Sequence, residues 1–253
     1  MLTVATFKIN AVFLFVKLKL TASTLQKQMT TRNMSKPAST GVAKRPYHHG
    51  ALREAMLEAA ERILAREGIG GLTLRAAARE AGASHAAPKN HFDNVTGLLS
   101  ELAAVGFRRF ERRLLDAAAA VSTPEARLAA QGRAYVEFAT QFPGLFMLMF
   151  RSERLDLERP GLREAMSSAS LVLRAAVGAP QEPDAPLPTD GAARVVAAWA
   201  LVHGFAMLQI DGRLDAVVRS LPEGMDAMAL LDVILNAGGG QLRSSNALAC
   251  QER

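Results

Sequence analysis

The sequence predicts an all-α fold, with a three-helix helix-turn-helix unit ahead of a larger helical body. Three observations carry that prediction. Strand-favouring aromatics are few (11 Phe, 2 Tyr, 1 Trp in 253 residues) against long Ala/Leu/Arg/Glu stretches. Apolar residues recur at three- and four-residue steps. Helix starts and stops punctuate the chain at helical lengths. Charge narrows the reading further. Residues 1–45 carry eight basic side chains and no acid, leaving 22 basic and 24 acidic groups in the other 208 residues, a net of −2. The pI of about 9.9 therefore belongs to the leader. Any nucleic-acid contact must come from local placement of charge.

The leader, 1–45, reads as a disordered basic arm, with Met34 an alternative start. Its apolar run at 9–16 is too short for a membrane span, which needs about 20 residues. From Leu52 to Glu67 the apolar positions Leu52, Met56, Ala59, Ala60, Ile63 and Leu64 form one stripe, and Gly68 stops the helix. Thr73 is placed to cap a short helix with Leu74, Ala77 and Ala78 inward, Gly82 to make a sharp turn, and Ser84 to cap a second short helix. Two short helices around a Gly-containing turn define a helix-turn-helix. Asn94 or Thr96 then starts a long helix through Leu98, Leu102, Val105 and Phe110.

Residues 46–112 resemble the DNA-binding domain of tetracycline-repressor-type (TetR) regulators. The resemblance is carried by Glu58-Ala59-Ala60, Gly68 before Leu72-Thr73, Ala81-Gly82-Ala83-Ser84, His91-Phe92 and Leu98-Leu99. Tyr47-His48-His49-Gly50 and Ser84-His85-Ala86-Ala87-Pro88 resemble the subgroup whose second domain is called WHG. The resemblance implies a homodimer on double-stranded DNA with a near-palindromic operator, the second short helix entering the major groove. His85 and Asn90 fall at base-edge positions. Ala86 and Ala87 fall where thymine methyls lie. Thr73, Lys89 and His91 fall near phosphates, Ser84 is a further DNA-contact candidate, and Lys44 and Arg45 fall along the backbone or a minor groove. Two positions depart from the family pattern: Lys89 stands where Tyr is usual, and Val95 where Lys is common. The first keeps a charge without aromatic packing; the second removes a phosphate anchor.

The remaining two thirds, 113–237, read as helices from Ala126 to Gln141 behind a Ser122-Thr123-Pro124-Glu125 start, after Pro143-Gly144, over 161–177 and over 191–210, with a Pro-rich loop at 178–190 and a last apolar helix at 225–235. The helix at 191–210 is apolar all round, so burial on all sides is expected, in part against a second copy. Its apolar stretch reads as short for a membrane span. Trp199-Ala200-Leu201-Val202-His203-Gly204-Phe205 resembles the WHG element, implying effector-binding and dimerisation. Phe107, Phe138, Phe142, Phe146, Met149 and Trp199 are the expected apolar walls of an effector pocket, with Arg133 and His203 as polar anchors. Residues 238–253 read as a flexible tail.

No Gly-rich phosphate loop, catalytic set or metal-ligand spacing is evident, so no enzyme activity, cofactor or metal is expected. Cys250 alone supports no disulfide and leaves a reducing, cytoplasmic setting as the default. The expected function is a DNA-binding regulator, a repressor released from DNA by a small apolar effector. The competing expectation is a dimeric interaction protein with degenerate DNA binding.

Overall fold

The computed structural model describes residues 49–83, 89–182 and 186–239, all helices and connections. The leader and most of the tail lie outside the described residues.

Helix α1, His49–Gly71, is interrupted at Gly68, whose φ of 68° is open to glycine and strained for most other residues. The predicted stop is real, and a further short turn follows it. Helix α2, Leu74–Glu80, is capped by Thr73, whose Oγ1 accepts the Ala76 N–H at 3.0 Å. Ala77 and Ala78 are fully buried, and the lack of bulk lets α2 lie close on α1. Gly82 turns at φ 67°. Helix α3 is Lys89–Phe92, and Phe92 is wholly buried.

Helix α4, Val95–Ala119, is capped by Asn94, whose Oδ1 accepts the Gly97 N–H at 2.9 Å. Its buried stripe runs through Leu98, Leu102, Phe107, Phe110 and Leu114. It passes unbroken through position 112, where the sequence places the join between the two parts. Helix α5, Pro124–Gln141, starts at a Thr123 cap with Pro at its first turn. Pro143 opens α6, Pro143–Met149, and a 3-10 turn at Ser152–Arg154 leads to α7, Pro160–Ala176. Helix α8 is Thr189–Ile210, α9 is Asp215–Val218 and α10 is Ala227–Gly239. Helix α4 packs chiefly on α7 and α5, α5 on α8 and α10, and α1 on α6. One apolar core runs from Met56 on α1 to Leu231 on α10.

One expectation about α8 needs correction. Counted from Thr189 it has 22 residues, long and apolar enough to cross a membrane by length and composition. Within one chain only 33% of its most apolar window is covered, which leaves open the apolar surface expected to meet a second copy. Val196 and Leu208 are 48% and 42% exposed, and Val233 on α10 is 56% exposed. Periodicity reports which faces are apolar, not which neighbour covers them.

Close approach at the α3–α4 corner depends on Gly97. A Cβ there would overlap the carbonyl oxygen of Phe92, a backbone atom with no rotamer to yield. Gly97→Ala is therefore expected to destabilise the chain by about 1–3 kcal/mol, the usual scale of overpacking. Urea unfolding at fixed protein concentration reads this out; an unchanged midpoint would contradict it.

Candidate DNA-reading unit and effector cavity

The DNA-facing candidates separate into three groups. Thr73 is exposed, and its hydroxyl oxygen is engaged as the α2 cap, which leaves its proton for an outside acceptor. His91 is half-buried beside Phe92, with ring centroids 6.2 Å apart. For Lys89 and Asn90 only the helical backbone is described, while Lys44, Arg45, Ser84, His85, Ala86 and Ala87 lie outside the described residues. Val95, the second departure from the family pattern, is 38% exposed at the first turn of α4.

A charge cluster ties this unit to the body. Arg159, just before α7, donates from Nε to Glu101 Oε1 on α4 at 2.7 Å and from Nη1 to Asp93 Oδ2 at 3.4 Å. Glu101 also accepts from Arg53 on α1. The Glu101 carboxylate raises the Arg159 guanidinium pKa further, the hydrogen bond outweighing the cost of burial. Asp93 follows α3 directly and holds a φ of 59°. Nearby, Ser100 is fully buried; its Oγ donates to Thr96 O and accepts the Asp156 N–H, both at 2.8 Å. The corner after α3 is thus fastened to the approach to α7. Hydrophobic periodicity singles out none of Arg159, Glu101, Asp93 and Ser100. The available signal was Glu101 itself, a carboxylate one residue before Leu102 on the buried stripe of α4, where a charge requires a partner.

In the body, four of the expected pocket residues are core. Phe107, Phe138, Phe146 and Met149 are fully buried, with the ring of Phe107 against Phe150, that of Phe138 against Phe110, and that of Phe146 against Tyr135 and Phe150. Phe142 lies under two cations, Arg109 at 5.1 Å and Arg113 at 5.4 Å. Arg133 pairs with Glu137 on its own helix and Asp232 on α10. A cavity of about 60 Å³ instead lies between α4, α5, α7, α8 and α10, with Phe110, Tyr135, Val172, Ala198, Trp199 and Val202 on its wall. Of the expected set, Trp199 alone lines it. Its other contributors include Gly132, Ala169 and Ala176, small residues that leave space where aromatics fill it.

Trp199 and His203 stand one turn apart on α8 and meet through Tyr135 of α5. Trp199 Nε1 donates to Tyr135 Oη at 3.3 Å, and Tyr135 Oη lies 2.8 Å from His203 Nδ1. With its oxygen accepting from the indole, the phenol donates to Nδ1, which sets the proton of a neutral imidazole on Nε2. Phe146 and Phe150 close around the ring at centroid distances of 5.4 and 4.8 Å. Burial lowers the His203 pKa and raises that of Tyr135 well above the usual phenol value.

This is the architecture of a helical transcriptional regulator, with a helix-turn-helix frame and an all-α body joined by one long helix. Residues 128–230 match the family model described as a tetracyclin repressor-like C-terminal domain. A protein of unknown function from Rhodococcus sp. RHA1 is 32% identical, the alignment covering 79% of this chain and 97% of that one, with a TM-score of 0.61. The chain belongs to the tetracycline-repressor family. Two more distant structures share the fold. One is a TetR family transcription regulator from Marinobacter aquaeolei VT8, at 17% identity, 74% and 95% coverage and TM-score 0.53. The other is the transcriptional regulator FadR from Bacillus subtilis in complex with stearoyl-CoA, at 16% identity, 76% and 97% coverage and TM-score 0.55. No curated protein matches the chain.

The His203 environment makes a stability prediction. The folded imidazole binds a proton more weakly than the unfolded one, whose value is near 6.5. Stability gained from the neutral ring is thus present above that value and lost as pH falls through the depressed one. Between pH 7 and 5 the wild-type denaturation midpoint is expected to drop more than that of His203→Gln, which keeps an acceptor but does not titrate. Equal drops would contradict the assignment.

Proposed function

We propose that the chain is a ligand-responsive repressor, acting in the cytoplasm as a homodimer on a near-palindromic operator. The part at 46–112 reads DNA, and the part at 113–237, with the end of α10, binds effector and dimerises. The observation that carries the reading is the sharing of helices between the two parts. Helix α4 gives Phe110 and Leu114 to the cavity wall, and its first turn supports the corner after α3. Helix α7 gives Val172 and Leu173 to the same wall, while Arg159 at its start holds Glu101 and Asp93. An effector that spreads the wall tilts both helices and with them α3. Effector and DNA then oppose each other by the same factor in each direction.

Dimerisation is supported by apolar surface left open in the single chain. Val196 and Leu208 on α8 and Val233 on α10 are exposed, with Ala193, Ala197 and Ala200 exposed beside them. Two such helices from each copy make a four-helix contact. The exposed Val95 and the substitution at Lys89 favour a second reading, a dimeric interaction protein with degenerate DNA binding.

Fluorescence anisotropy separates the two. Duplex from beside the gene is expected to bind about 10³-fold or more tighter than scrambled duplex at physiological salt. Equal, weak binding would transfer the weight to the interaction protein. Lys89→Ala is expected to lower affinity on every sequence and reduce the salt slope by about one. A slope that does not move removes Lys89 from the phosphate contacts.

A further inference from the structure

The wall chemistry of the cavity names the kind of effector it takes, an inference that rests on the ligand-responsive reading. The inner cavity has three wall side chains with polar atoms: Gln131, Tyr135 and Trp199. Two of these are committed to each other and to His203, since the indole N–H goes to the phenol oxygen and the phenol proton to Nδ1. A polar ligand group placed beside them would lose its water without gaining a partner. The inner part therefore takes hydrocarbon. Its volume of about 60 Å³ is well below the ~150 Å³ that receives benzene, so it holds about two or three carbons at the end of a slender chain and no ring.

A second, outer cavity of about 430 Å³ adjoins it across Gln131, Val172 and Ala176, which line both. Its wall is different in kind. Arg127 and Gln181 join Gln131 there, among Leu115, Ala118 and Pro124, and no Asp or Glu is among the described residues that line either cavity. Arg127 Nε also reaches Val121 O at 3.4 Å, a long contact that leaves the side chain at the rim. A cationic head would face a guanidinium with no carboxylate to offset it. An anionic head would meet a charge-assisted donor and two amides.

We infer that the effector is a slender anionic amphiphile, a medium-chain carboxylate in its simplest form. The end of its chain occupies the inner cavity, the rest of the chain lies along the outer one, and its head meets Arg127, with Gln131 at the junction. Charge at the rim selects the head, and the small residues Gly132, Ala169, Ala176 and Ala198 make the slot that selects the chain.

Trp199 is the sole tryptophan and lines the inner cavity, so its emission reports occupancy directly. The full chain would be titrated with decanoate, decan-1-ol and decyltrimethylammonium, each below its micellar concentration. Decanoate is expected to shift the emission and to bind at least tenfold tighter than the cation. Arg127→Gln, at an exposed site, is expected to weaken decanoate by about tenfold, the scale of one hydrogen bond to a charged group, and to leave decanol unchanged. Equal affinities for the three, or no effect of Arg127→Gln, overturn the head-group assignment; no response to any of them overturns the inner-cavity assignment. Anisotropy on the same sample separates this from the regulator reading. Selective DNA binding that survives a failed titration leaves the regulator standing and removes this inference alone. Binding of decanoate through Arg127 without selective DNA binding does the reverse.

Discussion

The structure depends on the burial of one face of α4 along its whole length. Leu98 and Leu102 sit in the core shared with α1 and α3, while Phe107, Phe110 and Leu114 sit in the core of the body. Each such side chain contributes about 1.5–3 kcal/mol on burial, so neither end of the helix can leave its neighbours cheaply. Two glycines permit the contact. Gly97 lets the Phe92 carbonyl approach, and at Gly106 a Cβ would lie 2.8 Å from Met149 Sδ on α6. A helix held this tightly at both ends moves as a rod, so a change in the cavity wall reaches the corner after α3 as a change of angle.

Charge fixes that angle. Paired buried charges add little net stability, because desolvation offsets most of the attraction, but they tolerate few alternative arrangements. Arg159 and Glu101 are 19% and 15% exposed, with Asp93 and Arg53 completing the cluster across α1, α4 and the start of α7. Arg109 adds a two-pronged pair to Glu61 on α1, at 2.5 and 3.0 Å. The apolar core holds the two parts together, and the ion pairs select one orientation between them. Such a joint suits a protein whose two binding events communicate.

Local rules made the DNA-reading unit legible in sequence. Thr73, Gly82 and Asn94 act within three or four residues of themselves, so their roles as cap, turn and cap could be read without knowing the fold. The cavity was not legible because it is a property of non-neighbours. Aromatic residues were expected to line it, yet Phe107, Phe138 and Phe146 fill their own space edge to face, and the void appears where Gly132 and several alanines from three helices converge. The Trp199 and His203 pair was visible as a motif, but its meaning required Tyr135, which is more than sixty residues away. Arg159 escaped notice for the same reason, its partners Glu101 and Asp93 being 58 and 66 residues distant.

If α4 makes the two parts one cooperative body, they unfold together. Denaturant unfolding followed by Trp199 fluorescence, which sees only the body, and by far-ultraviolet circular dichroism, which sees every helix, tests this most directly. The two curves are expected to superimpose at each protein concentration, with one midpoint. A dichroism transition that begins before the fluorescence change, with loss of α1–α3 while Trp199 stays buried, would show that the DNA-reading unit is only loosely tethered and would contradict coupling through α4.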